Sequence, residues 1–481
     1  MTLGELLGDQ TPAALAGSPV SGLTCDSRRA APGCVFVALA GAVADGHAYA
    51  GDAAAAGALA IIAERQVDTG GVPVIVRADA RRWLAKAAAR FYGRQPETIA
   101  AITGTNGKSS SVDFLRQIWS RAGVTAASMG TLGAIGPNGT LDLGHTTPGP
   151  ETIHETLAAL AGQGVTCLAM EASSHGLAQH RLDGVKLGAV AFTNFTQDHL
   201  DYHPTMEAYR AAKLRLFAEL APAGCPAVIM ADDPSHTQFE RAAGEAGLDV
   251  LSVGWRGRDL KIAELTPRPS GQDLLLHWRG AEHTLHLPLI GEFQALNALT
   301  AAGCAMALGL AFTVVAEGLA QLAPVKGRLE FVGATPAGAG VFVDYAHTPD
   351  GLDTLLRAAR PHTAGHLSVV FGCGGDRDAT KRPLMGKVAQ RQADRVIITD
   401  DNPRSEKPAE IRRAALAGAP DARDIGDRAE AIHTAIAELQ AGDTLVIAGK
   451  GHETGQVIGD RVVAFSDQDT ARKALEERAD G

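Results

Sequence analysis

The chain has 481 residues, enough for roughly two to four domains. Its 46% hydrophobic and 20% charged content describes a soluble globular protein with several cores, and no apolar run is long enough to span a membrane. A formal net charge of −10 argues against nucleic acid as the main partner and gives no reason to expect membrane attraction. The first residues, Met1-Thr2-Leu3-Gly4-Glu5, lack a basic stretch followed by an apolar one, so no secretion signal is expected. Six cysteines (Cys25, Cys34, Cys167, Cys225, Cys304, Cys373) are scattered without a C-x-x-C pair. That excludes an obvious zinc site or disulfide framework and fits a reduced, cytoplasmic setting.

Short apolar runs at 35–39, 58–63 and 72–76 predict strands, and 80–92 predicts a helix. Gly93-Arg94-Gln95-Pro96 reads as a linker. A β-prone run at 98–102 then leads into Gly104-Thr105-Asn106-Gly107-Lys108-Ser109-Ser110 and a predicted helix over 110–122. Strand, glycine loop, lysine, hydroxyl and helix together make a phosphate cradle. Backbone N–H groups at a helix start face an anion, Lys108 adds a charge, and Ser109 is placed to ligate magnesium on the phosphates. The usual G-x-x-x-x-G-K-[ST] spacing would put the first glycine where Ile102 stands, so the loop is a variant.

Further strands are expected at 165–170, 188–193 and 227–230, the rhythm of a parallel sheet covered by helices. Glu171 follows the first of them and is suited to hold magnesium directly or through water. Dense polar stretches follow at 173–181 and 193–203, the second carrying Asp198, His199, Asp201 and His203. By spacing alone the second is a solvated loop or a metal site. The run 206–217 reads as an amphipathic helix whose Lys213 would ordinarily be a surface charge. Residues 274–278 and 283–287 read as a hairpin or small antiparallel sheet.

A second break falls near 324–327, and strands are expected at 341–345, 367–371, 395–399 and 444–448. Each ends in a polar loop: Asp344 to Asp350, Gly372 to Asp378, Asp400 to Glu406 and Gly449 to Glu453. Ligands gather at the carboxyl ends of parallel strands, so the third part reads as an α/β domain with a ligand crevice.

Together these segments resemble the Mur ligase family, which builds the peptide stem of bacterial cell-wall precursors. The resemblance rests on Thr103 to Ser109, Glu171 to Leu177, Asn297, Gly327-Arg328-Leu329-Glu330, Asp344 to Asp350 and Gly372 to Asp378. Asp401-Asn402-Pro403-Arg404 resembles the motif of members that add meso-diaminopimelate as the third amino acid. The resemblance implies a three-domain α/β fold. A small N-terminal α/β domain (1–93) would bind the UDP-MurNAc part. A central P-loop ATPase with a parallel sheet (94–326) and a Rossmann-like C-terminal domain (327–481) that closes over the site would follow.

It also implies the reaction. The D-glutamate carboxylate of UDP-MurNAc-L-Ala-D-Glu attacks ATP to give an acyl phosphate, which the amino-acid amine then displaces. Lys108, Glu171, His199 and Lys213 would be catalytic. Magnesium would be held by Ser109, Glu171, His199 and Lys213 as a carbon dioxide-derived carbamate. ATP would meet Gly104 to Ser110, Asn297, Arg328 and Asp344. Of the UDP-MurNAc-dipeptide contacts, Ser27 would meet the uridine nucleotide, and Thr146, Thr147, Ser173, Gln179 and Arg181 would hold the muramyl dipeptide, with His145 where the family more often has Asn. Arg377, Asp401, Asn402, Pro403, Arg404, Gly449 and Glu453 would hold the incoming amino acid. An arginine fork suits the distal carboxylate that lysine lacks. Only small-molecule partners are implied, and the family suggests a monomer. L-lysine or L-ornithine as acceptor is the near alternative. Folylpolyglutamate synthetase, which shares the loop but lacks the N-terminal domain and Asp-Asn-Pro-Arg, is a remote one. A nucleotide-binding switch is the alternative from another class.

Overall fold

In the computed structural model, which describes residues 1–41, 44–199, 202–268 and 271–480, backbone contacts divide the chain into two compact units. One is Met1–Arg258 with Thr300–Val315; the other is Asp259–Leu299 with Ala316–Gly481.

The first unit holds two sheets. The smaller one is fully parallel, in the order Gly22–Thr24, Cys34–Ala38, Ala60–Ala63, Val74–Val76. Cys34–Ala38 and Ala60–Ala63 are buried at every position, as their unbroken apolar runs require. The helix Ala80–Tyr92 covers this sheet with Trp83, Leu84, Ala87 and Ala88. The helix Leu3–Leu7 starts at a capping box, with Thr2 bonding Glu5 N–H and Glu5 bonding Thr2 N–H.

The larger sheet runs in the order Asp249–Gly254, Pro226–Met230, Ala189–Phe192, Thr98–Thr103, Cys167–Glu171, Ala126–Gly130, with the antiparallel strands Gly133–Gly136 and Gly139–Leu141 at the edge. The first six are parallel. Thr98–Thr103 lies inside, with Ile102 opposite Glu171 and Thr103 opposite Phe192. This register brings three strand ends to one edge, so the phosphate loop, Glu171 and the 193–199 segment emerge side by side.

The second unit is built on a sheet in the order Glu330–Ala334, Gly340–Asp344, Thr444–Ala448, Leu367–Cys373, Arg395–Asp400, Arg423–Asp424, parallel except for the first pair. The expected hairpin is a three-stranded meander, Leu260–Arg268, Gly271–Trp278 and Ala281–Leu287. Its first strand alternates buried Leu260 and Ile262 with exposed Lys261 and Ala263, a signal that Pro267 obscured. The helix expected over 206–217 is α-helical only through Arg215 and continues as a π-helical turn, Leu216–Leu220. No described helix is long and apolar enough to cross a membrane.

His154, on the helix Pro150–Gly162, is 1% exposed, and neither ring nitrogen has a hydrogen-bond partner. Burial pushes its pKa down to about 4. The unfolded chain therefore binds this proton first as pH falls. The stability involved is complete above about pH 6.5 and is lost between there and about pH 4, in all about 3 kcal/mol. His154→Leu should flatten that limb of the unfolding midpoint against pH in thermal melts; an unchanged limb would contradict this.

Candidate active site

The phosphate loop is held by the end of the neighbouring strand Ala189–Phe192. Asn194 accepts Thr105 N–H on its carbonyl at 2.8 Å and Asn106 N–H on Oδ1 at 2.8 Å, and its Nδ2 donates to Asn106 O at 3.0 Å. Thr193 Oγ1 donates to Asn106 O at 2.6 Å. A Cβ on Gly104 would lie 1.9 Å from Thr193 Oγ1, so only glycine fits. The helix Lys108–Arg121 starts on Gly107, whose φ of +83° turns the chain so that the helix start faces the loop.

Two lysines converge on one carbonyl. Lys108 Nζ donates to Gly104 O at 2.9 Å and to Thr105 O at 2.8 Å; Lys213 Nζ donates to the same Gly104 O at 2.6 Å. Lys213 is 1% exposed, with Nζ 4.5 Å from the Tyr209 ring centre. Its spacing-based reading as a surface charge is therefore wrong. The helix Met206–Arg215 turns Tyr209, Ala212 and Lys213 inward. Burial first, then the Lys108 ammonium, hold the Lys213 amine well below the usual lysine range, against an opposite pull from Asp198.

Glu171 is buried and receives Ser109 Oγ at 2.8 Å and Thr131 N–H at 2.8 Å on Oε1, with Thr131 Oγ1 3.3 Å from Oε2. Ser109 and Glu171 are thus brought together as expected. His199, at a φ of +53°, sits beside Asp198, Nε2 to Oδ2 3.5 Å, and its ring lies 4.8 Å from that of His175. Leu200 and Asp201 lie outside the described residues. Ser109 and Glu171 supply the hard oxygen donors that suit magnesium. Among the described residues no group of three or more His, Cys, Asp or Glu is disposed to hold a metal. The four expected ligands contain two such residues, so the set needs Lys213 as an anion to be a strong site.

Of the residues expected to meet the muramyl dipeptide, Thr146, Thr147, Ser173, Gln179 and Arg181 lie in a run of neighbouring contacts. Thr131 and Thr146 hydroxyls are 3.0 Å apart. Thr147 Oγ1 donates to Glu171 O and accepts Ser173 N–H. Gln179 Oε1 receives Arg181 Nη2 at 2.7 Å, and Arg181 Nη1 donates to Thr147 O. Ser27 starts the turn Ser27–Arg29 after Gly22–Thr24, two residues from Cys25, whose thiol donates to Glu151 Oε1 at 3.0 Å. His145 is exposed.

In the second unit, buried Asp344 ends the strand Gly340–Asp344 and accepts Leu329 N–H at 2.6 Å and Ala346 N–H at 2.7 Å. Burial raises its pKa, opposed by Arg328. The Arg328 guanidinium lies 5.0 Å from the Tyr345 ring centre. Gln294 Nε2 donates to Arg328 O, and Asn297 Nδ2 donates to Gln294 Oε1 at 3.4 Å, which links Asn297 to Arg328, two of the residues expected to meet ATP. On the next strand ends, Asn402 Nδ2 donates to Glu453 Oε2 at 2.9 Å, and a Cβ on Gly449 would meet Asp401 Oδ2 at 2.6 Å. A Cβ on Gly375 would lie 1.9 Å from Pro403 O. Arg404, with φ +52°, donates from Nη1 to Gly375 O at 2.7 Å, while Arg377 is exposed.

Three family models match: the Mur ligase family, catalytic domain (residues 19–92), the Mur ligase middle domain (102–305) and the Mur ligase, glutamate ligase domain (327–451). The chain is 53% identical to the UDP-N-acetylmuramoyl-L-alanyl-D-glutamate–2,6-diaminopimelate ligase of Chelativorans sp. (strain BNC1), over 99% of this chain and 100% of that one. The chain belongs to the Mur ligase family. The ligase of the same name from Mesorhizobium japonicum is 53% identical over 96% of each chain. A solved structure of a ligase of that name superposes with a TM-score of 0.75 at 33% identity, covering 99% of both chains. The three-domain α/β Mur ligase architecture seen in the sequence is thereby shown.

Sequence reasoning missed residues that hold the expected site residues in place. Thr131 follows a glycine with no periodic signal, Tyr209 looks like any helix aromatic, and Lys450 looks like a loop charge.

Gly104 O keeps the Lys108 bond when Lys213 is truncated. Lys213→Met should therefore leave the thermal midpoint of the first unit equal or higher while abolishing turnover. A midpoint several degrees lower would show that the buried amine is mainly structural.

Proposed function

We propose that the chain is the ATP-dependent amide ligase that joins meso-diaminopimelate to UDP-N-acetylmuramoyl-L-alanyl-D-glutamate in making the peptidoglycan precursor. The observation that carries this reading is identity of about half, across the whole length, to relatives bearing that name. The domains are drawn at 1–93, 94–326 and 327–481, close to the three family-model matches. The enzyme acts in the cytoplasm, as a monomer, on small molecules alone.

The D-glutamate carboxylate attacks the γ-phosphorus of ATP and ADP leaves. The amine then attacks the acyl carbon, phosphate leaves and the nitrogen gives up a proton. Repulsion between carboxylate and triphosphate opposes the first step, and Lys108 with the helix start after Gly107 offsets it. Positioning does most of the rest. Ser109, Glu171, His199 and Lys213 as a carbamate would hold magnesium, which would supply further charge neutralisation. An unprotonated amine is what carbon dioxide adds to, releasing a proton, and the depressed Lys213 meets that condition. Thr146, Thr147, Ser173, Gln179 and Arg181 orient the dipeptide, and Ser27 the uridine nucleotide. Asn297, Arg328 and Asp344 serve ATP. Arg377, Asp401, Asn402, Arg404, Gly449 and Glu453 receive the amino acid, Arg404 gripping its distal carboxylate.

Phosphate release from ATP should require both UDP-MurNAc-dipeptide and meso-diaminopimelate. In an acceptor panel, L-lysine and L-ornithine should be poor. Equal use of L-lysine would remove the role given to Arg404, and release with neither substrate would favour a switch. Lys213→Ala should be nearly inactive and partly restored by a short carboxylic acid. A wild-type rate in Lys213→Ala would dismiss the carbamate.

A further inference from the structure

Lys450 is fully enclosed, at 0% exposure, in the loop after the strand Thr444–Ala448. Its Nζ donates to Asn402 Oδ1 at 3.1 Å and to Glu453 Oε2 at 2.9 Å. Val457 N–H also donates to Asn402 Oδ1, at 2.9 Å. With two donors on its oxygen, the Asn402 amide has one stable orientation, and its Nδ2 reaches Glu453 Oε2. Oε2 of Glu453 thus takes two donors from the protein, and Oε1 is the oxygen left for an outside donor.

We propose that Lys450 is a positioning and specificity residue of the amino-acid site: it locks the Asn402 amide and keeps Glu453 an oriented carboxylate that receives the ammonium group of the incoming amino acid. This rests on the ligase reading above. A half-buried carboxylate with no cation beside it would take up a proton more readily and hold an ammonium less well. Burial pushes the Glu453 carboxyl up, yet the Asn402 and Lys450 bonds outweigh it and the carboxyl lies below its usual range. The other ionisable groups acting on Glu453, or acted on by it, are His452 on its own loop, Tyr345 after the strand Gly340–Asp344, and Arg428. Arg428 is already spoken for: it pairs with Asp467 at 2.7 Å, both fully buried, and its Nη2 donates to Ala448 O at 3.0 Å. Among the described residues, Lys450 is the one ammonium bonded to the carboxylate.

The test is steady-state kinetics of the full-length enzyme and of Lys450→Gln and Lys450→Met, with UDP-MurNAc-dipeptide, ATP and meso-diaminopimelate, from about pH 8 down to about pH 5.5, toward the range in which a carboxylate that has lost its cation takes up a proton. The KM for meso-diaminopimelate should rise about ten- to a hundredfold, the usual effect of losing a hydrogen bond to a charged group. It should climb further toward acid pH in the variants only, with KM for ATP and for the dipeptide within about twofold of wild type. An unchanged amino-acid KM and pH profile would overturn the proposal. So would a parallel rise of all three KM values with a lowered thermal midpoint, which marks a structural role only. A wild-type enzyme inactive with meso-diaminopimelate would instead defeat the ligase reading, and binding of other amino acids to wild type and Lys450→Gln, measured by calorimetry, would then decide the role of Lys450.

Discussion

Two lysine side chains share the carbonyl oxygen of Gly104, one of them enclosed in the protein. Burial first, and then the nearby Lys108 ammonium, hold the Lys213 amine well below the usual lysine range. The phosphate loop is thereby built around two lysine side chains, one of them, Lys213, enclosed and far less basic than a lysine in water. Much of the first unit serves that arrangement. Asn194 and Thr193 grip the loop from the next strand, Gly104 clears the space, and Tyr209 covers the amine while its hydroxyl lies 3.1 Å from Thr105 Oγ1.

In the second unit the strand-end loops stand on buried basic side chains that each meet an acid: Arg428 with Asp467, Lys450 with Glu453. Replacing either partner would strand a charge, so these pairs fix geometry more than they add stability. Arg428 also reaches the carbonyls of Asp400 and Ala448, the residues just before Asp401 and Gly449. The loops that carry Asn402, Arg404 and Glu453 are thus tied at their roots.

The parallel strands were legible because runs such as 98–102, 367–371 and 444–448 are apolar and buried on both faces, which leaves no other reading. The predicted helix over 80–92 matches Ala80–Tyr92. Lone edge strands such as Gly133–Gly136 and Gly139–Leu141 were not legible, being short, glycine-rich and half exposed. In the site, the loop, Glu171 and the strand-end polar clusters carry composition that betrays a ligand. Lys213 and Lys450 do not: a lysine's burial is decided by which elements pack over it, and neighbours such as Tyr209 or Asn402 are distant in sequence. For Lys213, family resemblance gave the role and the structure gave the burial that makes it chemically reasonable.

The central claim is that Lys213 is held unprotonated so that it can take up carbon dioxide. Carbon-13 NMR of the enzyme in labelled bicarbonate at neutral pH tests it most directly. The account predicts a carbamate resonance that is present in wild type and missing from Lys213→Ala. A wild-type spectrum without that resonance, in enzyme that turns over at its normal rate, would contradict it.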